Sequence, residues 1–207
     1  MKKHIYIIEG IDGCGKDFVR DSLKDLLSGG VKCLREPDGY FRQILRDGGG
    51  KLDFVDEYMA MWIGRFQLWM SEIISDTEHE HIIINRSFPS TFAYQIEGRG
   101  LTEYLKSFRF WKKNLLALFE PRLFVFHHIY LKVDVKVSLE RIGKRADSDG
   151  LDFFEEHGLL MRTNSGYNIF YGESNRSSFK SNEVVHVIDA NKSKDEVLQQ
   201  LKSKLEL

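Results

Sequence analysis

The chain has 207 residues, 42% hydrophobic and 13% aromatic, which is enough apolar side chain for one enclosed core. Its 30 Lys and Arg nearly cancel 31 Asp and Glu, leaving a formal net charge of −1. That balance argues against a protein held by the phosphate backbone of nucleic acid, which calls for a clustered basic excess, and leaves room for a local basic pocket around a small anion.

Met1 to Glu9 opens with two lysines and an apolar run that is too short for a signal peptide and ends at an acid, so His4–Glu9 reads as a buried strand. A glycine-rich turn, Gly10–Gly15, leads into a helix over Lys16–Leu27, with Phe18, Leu23, Leu26 and Leu27 at helical spacing until Ser28-Gly29-Gly30 stops it. Val31–Arg35 is a second strand, and Gly48-Gly49-Gly50 marks a loop. A long amphipathic helix starts near Asp53, its core stripe including Met59, Trp62, Phe66 and Trp69. His81–Ile84 is a third strand, followed by helices over Ser90–Ile96 and Leu101–Phe119. Leu123–Val133 is a fourth strand, Asp134–Arg145 a helix, Ala146–Asp152 a polar loop, and a further helix reaches Tyr171. Glu183–Ile188 and a helix over Ser193–Lys204 close the chain. Short apolar strands alternating with helices imply a parallel sheet covered on both faces, with ligands bound beyond the carboxyl ends of its strands. No stretch reads as a transmembrane helix, and Cys14 and Cys33 are too few for a disulfide framework, so a soluble cytoplasmic protein is expected. His127-His128 and His79/His81 lack partners at metal-binding spacing in the sequence.

Gly10-Ile11-Asp12-Gly13-Cys14-Gly15-Lys16-Asp17 fits the phosphate-binding pattern GxxxxGK[ST] at every position but the last. Glycines allow consecutive N–H groups to converge on one anion, the following helix adds its positive end, and Lys16 bridges the outer phosphates. Cys14 is a small residue suited to the loop, and the neighbouring lysine and helix N-terminus are expected to lower its thiol pKa. These residues alone support the expectation of a nucleotide-dependent phosphotransferase and nothing finer.

The flanking residues resemble a family. Ile8-Glu9-Gly10-Ile11-Asp12-Gly13-Cys14-Gly15-Lys16 is similar to the opening of thymidylate kinases, a strand leading into EGxDGxGK. Arg35-Glu36-Pro37-Asp38-Gly39 resembles the family's REPGG loop, Asn85-Arg86 through Tyr94-Gln95 its DRxxxSxxAYQ block, and Ile188-Asp189-Ala190 its IDA segment. The resemblance implies a three-layer α/β/α P-loop kinase: one domain over residues 1–207, a five-stranded parallel sheet, and a lid near residues 141–156. It places ATP on Gly10, Ile11, Asp12, Gly13, Cys14, Gly15, Lys16, Asp17 and Phe18. It places the acceptor nucleotide on Asp12, Glu36, Pro37, Met61, Arg65, Arg86, Ser90, Thr91, Tyr94 and Gln95. Within that set, Arg65 and Arg86 grip the acceptor phosphate, Met61 stands where an aromatic covers the base, and Thr91 with Gln95 faces a pyrimidine edge. For Ser90 and Thr91, helix capping after Pro89 is an equal reading. Gly13 occupies the position of the P-loop arginine of one class, so the resemblance assigns charge stabilisation to Arg141 and Arg145 at the lid, with Lys144 between them. Asp152-Phe153-Phe154-Glu155 departs from the lid's DRxE at its arginine.

Two further departures concern Mg²⁺. Asp17 replaces the Ser or Thr that ligates the ion, and Asn85 replaces an aspartate after strand three. Together they keep the carboxylate count, so the expectation is a swap in which Asp17, beside Asp12, ligates Mg²⁺ and Asn85 orients a water. The implied reaction is ATP- and Mg²⁺-dependent phosphorylation of dTMP. Three alternatives stay open: a broad deoxynucleoside monophosphate kinase, a deoxynucleoside kinase with Glu36 as base, and a nucleotide-binding protein without turnover. The partners expected are nucleotides rather than membranes or nucleic acid. Related kinases form homodimers through helices, and the apolar helix Val55–Ile74 offers such a surface.

Overall fold

The computed structural model describes residues 2–36, 43, 53–144 and 157–207. Five strands, β1 (Lys3–Glu9), β2 (Val31–Arg35), β3 (His81–Asn85), β4 (Phe124–Lys132) and β5 (Glu183–Asp189), form one parallel sheet in the order β2-β3-β1-β4-β5. Isoleucines carry its centre: Ile5, Ile7 and Ile8 of β1 and Ile82, Ile83 and Ile84 of β3 are fully buried, as a strand covered on both faces requires. Strand order switches sides at β1, which has β3 on one side and β4 on the other. The loops after β1 and β3 therefore open side by side at the carboxyl edge, where such sheets bind ligands.

The helices α1 (Lys16–Leu26), α2 (Phe54–Trp69), α4 (Leu105–Ala117), α5 (Val135–Gly143), α6 (His157–Tyr171) and α7 (Lys194–Leu205) lie within a few residues of their expected spans. The helix expected from Ser90 differs in kind. Here α3 begins with one regular turn, Phe88–Ser90, and continues as π-helical turns over Thr91–Glu97. Likewise α2 ends in a π turn, Met70–Ile74. Gly166 of α6 explains why α3 is followed so closely: a Cβ there would stand 2.9 Å from both Ala93 Cα and Glu97 Cβ. Neither Ser90 nor Thr91 caps the helix, because it starts upstream of both, at Phe88. Trp62 and Trp69 are fully buried, while Met59 and Phe66 are half-buried against the same core. Among the described residues no helix is long and apolar enough to cross a membrane.

One face of the sheet carries a row of imidazoles that strand register, not sequence spacing, brings together. His4 Nδ1 lies 3.0 Å from His127 Nε2, and His127 Nδ1 lies 3.2 Å from His186 Nε2. Tyr6, stacked on His127, reaches His81 at 3.3 Å, and His186 ends the row against the Lys204 backbone of α7. A neutral imidazole has one donor and one acceptor, so the row is satisfied only while its members are uncharged. Burial, then His186, His4, His128 and His81, drives the His127 pKa from 6.5 to about 3. Burial and His81 also lower His4, with Glu80 opposing and Lys2 assisting, and burial and Lys204 lower His186. The unfolded chain thus takes up protons near pH 6.5 that the native state refuses, and stability falls as the pH drops below that value. The melting temperature of His127→Gln is expected to fall less than that of the parent between about pH 7 and about pH 5. Parallel curves for the two proteins would contradict this account of the row.

Candidate active site

The turn after β1 is shaped by close packing. A Cβ on Gly13 (φ +79°) would lie 2.5 Å from the Ser138 carbonyl oxygen of α5, and one on Gly10 would lie 2.8 Å from the Leu131 carbonyl oxygen. No side chain fits at Gly13, so a charge-stabilising arginine has to come from another element. Ser138 Oγ also donates to the Asp12 carbonyl, fastening α5 to the loop. Arg141, one turn beyond Ser138 on α5, is half-buried and has no ion pair among the described residues. Arg145 and the rest of residues 145–156, like Pro37 and the other residues of 37–42, lie outside the described residues.

Lys16 bends back over the loop. Its Nζ donates to the carbonyls of Gly10 (2.9 Å) and Ile11 (3.0 Å) and stands 3.6 Å from Asp12 Oδ1. Cys14 Sγ is 3.7 Å from the same ammonium, yet burial pushes the thiol pKa up and outweighs the lysine. The expectation of an acidic, reactive Cys14 is therefore corrected.

Asp12 is the hub that joins the loop to the end of β3 and to α3. It accepts from the Arg86 guanidinium and, at 3.0 Å, from the Tyr94 hydroxyl. Burial opposes its ionisation, but Arg86, Lys16 and Tyr94 prevail and hold the carboxyl below the usual carboxylate range. Arg86 follows β3 with φ +68°, a conformation rare outside glycine, and its N–H donates to the Ile8 carbonyl at 3.0 Å. This bend turns the guanidinium from the β3 edge toward the loop, 4.9 Å over the Tyr94 ring.

A second group lines the seam between α2 and α3. Arg65 is fully buried, with Nε 2.5 Å from Glu36 Oε2, Nη2 3.1 Å from Thr91 Oγ1 and Cζ 4.8 Å over Trp62. Glu36 Oε1 accepts from Trp69 Nε1 and from Ser87 Oγ at 3.3 Å, so both oxygens are engaged. Burial raises the Glu36 pKa against the pull of Arg65. Such a carboxylate positions Arg65 and is not free to act as a base. Two turns before Arg65, Glu57 pairs with Arg99 at 2.7 Å and accepts from Gln95 Nε2 at 3.3 Å. Met61 sits between these rungs and is buried. The polar atoms of the seam buried without a partner are three donors, Trp62 Nε1, Arg65 Nη1 and Arg99 Nε, and one acceptor, Gln95 Oε1.

The sequence reading passed over Glu9. It is wholly buried, accepting from the Ser87 N–H (2.5 Å), Ser90 Oγ (2.6 Å) and Tyr167 hydroxyl (2.9 Å). It joins the end of β1 to the turn after β3 and to α6. Ser90, expected to face the nucleotide, spends its hydroxyl here. The available signal was an acid closing an apolar strand, since a buried charge has to find donors.

Backbone amides turned by glycines, a lysine over them and the Arg86 guanidinium brought to the loop from the end of the neighbouring strand are the equipment of a P-loop phosphotransferase, which works by alignment and charge neutralisation. Family comparison narrows the class. The chain matches the profile of the family described as thymidylate kinase over residues 8–201 and belongs to that family, whose members are nucleoside monophosphate kinases. It is 29% identical to the thymidylate kinase of Neisseria gonorrhoeae, over 100% of this chain and 98% of that protein. It is 30% identical to the probable thymidylate kinase of Methanococcus aeolicus, over 99% and 96%. It is 28% identical to the thymidylate kinase of a Shewanella species, over 72% and 76%.

Proposed function

We propose that the protein transfers the γ-phosphate of ATP to dTMP. The observation that carries the choice of base is Gln95 Oε1, the one acceptor among the unpartnered buried atoms of the seam, taken with the free donor Arg65 Nη1. Glu57 accepts from Gln95 Nε2 and so fixes which end of the amide is free. A free donor and a free acceptor lining one seam complement thymine, whose O4 accepts and whose N3–H donates. Cytosine presents the reverse, a donor at N4 and an acceptor at N3. On this reading Arg65 serves the base edge, leaving the acceptor phosphate to Arg86.

The chemistry needs no general base, because the acceptor phosphate is largely ionised near neutral pH (second pKa about 6). Lys16 exchanges its two carbonyls for donor phosphate oxygens, and Arg86 draws the acceptor phosphate toward them. Asp12, kept ionised, holds Arg86 in line. Arg141 approaches from α5. Asp17 is the loop carboxylate that would hold the Mg²⁺ accompanying the triphosphate, which would supply further charge neutralisation, while Asp12 is engaged by Arg86, Lys16 and Tyr94. With both Glu36 oxygens engaged, the geometry disfavours phosphorylation of a nucleoside hydroxyl. Val55, Ile63 and Met70, exposed on the outward side of α2 and its extension, support pairing of two copies through this helix.

Coupled ADP release with dTMP, dUMP, dCMP, dAMP and thymidine tests the reading. Turnover is expected with dTMP and dUMP, at least about 100-fold above dCMP. Gln95→Leu is expected to lower kcat/KM for dTMP about 10- to 100-fold and to erode the preference over dCMP. Equal use of dCMP by the parent, or turnover of thymidine alone, would contradict the assignment.

A further inference from the structure

Resting on the phosphotransferase reading, the geometry at the start of α1 assigns the metal donors in more detail. Asp17 occupies the loop position where a hydroxyl usually meets Mg²⁺. Its exposed carboxylate receives two donors on one oxygen: Asn85 Nδ2 and Arg20 Nη1, each 3.0 Å from Oδ1. Among the described residues Oδ2 has no hydrogen bond. Asn85, at the end of β3, is 3% exposed, and its Oδ1 is buried without a partner. The amide cannot turn over without setting Oδ1 against the Asp17 carboxylate, so Asp17 dictates which end of Asn85 remains unsatisfied. The same stretch of the site thus holds an unengaged anionic oxygen and a neutral acceptor lacking a hydrogen.

We propose that Asp17 Oδ2 is the direct protein ligand of the Mg²⁺ that accompanies ATP, and that Asn85 is a positioning residue, holding Asp17 through Nδ2 and accepting a hydrogen from an ion-bound water at Oδ1. The donor set suits this ion. Mg²⁺ keeps several waters and takes one or two carboxylates besides the phosphates, and the described residues contain no cluster of three or more His, Cys, Asp or Glu side chains that would hold a metal without the nucleotide. Charge also agrees. With an asparagine behind it, a serine at residue 17 would leave the ion without an anionic protein ligand there, whereas an aspartate at residue 85 beside Asp17 would set two carboxylates within hydrogen-bonding distance. A single acid shared between the two places avoids both outcomes, and Arg20 offsets its charge when no ion is near.

The test measures metal binding without turnover. Binding of a non-hydrolysable ATP analogue is first measured in chelator, and Mn²⁺ is then titrated into the analogue complex and followed by electron paramagnetic resonance. Asp17→Ser is expected to weaken Mn²⁺ at least about 10-fold, and Asp17→Ser with Asn85→Asp to restore it to within about 3-fold of the parent. Asn85→Leu is expected to weaken Mn²⁺ less than Asp17→Ser does, with metal-free binding of the analogue unchanged. Unaltered Mn²⁺ affinity in Asp17→Ser, or a double variant as weak as the single one, would overturn the assignment alone. Failure of the parent to bind the analogue either in chelator or with excess Mg²⁺ would overturn the phosphotransferase reading and this assignment with it. Because Asp17 is exposed and Asp has the shape of Asn, unchanged melting curves serve as the folding control.

Discussion

Arg86→Ala is expected to lower kcat at least about 1,000-fold, the range measured for arginines that neutralise a transferring phosphoryl group. Two consequences of one bend add together here. The left-handed backbone at Arg86 sends its guanidinium over the Tyr94 ring and onto Asp12, so removing it takes away the cation proposed to hold the acceptor phosphate and frees the carboxylate beside it. Arg86→Lys is expected to recover less than about a tenth of the loss, because a single ammonium cannot replace the planar fork. The pH dependence changes as well. In the parent, Arg86 is foremost among the groups that hold the Asp12 carboxyl below the usual carboxylate range. A carboxyl with a depressed folded pKa adds stability that is present above its unfolded pKa and lost as the pH falls through the folded one, so the variant should lose stability mainly above about pH 4. Single-turnover kinetics with pH-dependent melting checks both statements, and a kcat within about 10-fold of the parent would remove Arg86 from the chemistry.

The second large effect concerns folding. Arg65 and Glu36 form an ion pair with side chains 0% and 2% exposed, so Arg65→Leu or Glu36→Leu strands a buried charge. Each single change is expected to cost about 3–5 kcal/mol by urea denaturation, and the double change much less than the sum, because the uncompensated charge is gone. Activity should not follow stability. The double variant refolds the seam but lacks Arg65 Nη1, the proposed base-edge donor, and kcat/KM for dTMP should stay low. Additive losses of stability would show that the two residues act independently.

Much of this was readable in the sequence because it is encoded locally. Apolar runs bounded by glycine or polar residues gave all five strands to within about two residues, and the spacing of Gly10, Gly13, Gly15 and Lys16 is itself the loop. Side chains whose partners are chosen by register or by helix pitch were not readable. His4, His81, His127 and His186 stand far apart in the chain and meet only when β1, β3, β4 and β5 align. The π turns of α3 depend on how closely Gly166 lets α6 approach, which no periodicity within residues 88–97 records. Ser90 was placed on the nucleotide side from its position in the motif, and a carboxylate 81 residues away claimed it instead. Cys14 was misjudged because the sequence displays a neighbouring cation but not the burial that overrides it.

The central claim is that one glycine-lined bend receives a triphosphate while the seam beside it reads thymine. Crystals grown with a non-hydrolysable ATP analogue and dTMP address both halves at once. The triphosphate is expected along the amides of Gly10–Lys16, with Lys16 Nζ moved from the Gly10 and Ile11 carbonyls to phosphate oxygens, and thymine O4 and N3–H on Arg65 Nη1 and Gln95 Oε1. A loop without triphosphate and with Lys16 still on its two carbonyls, or dTMP seated away from the α2–α3 seam, would contradict the account.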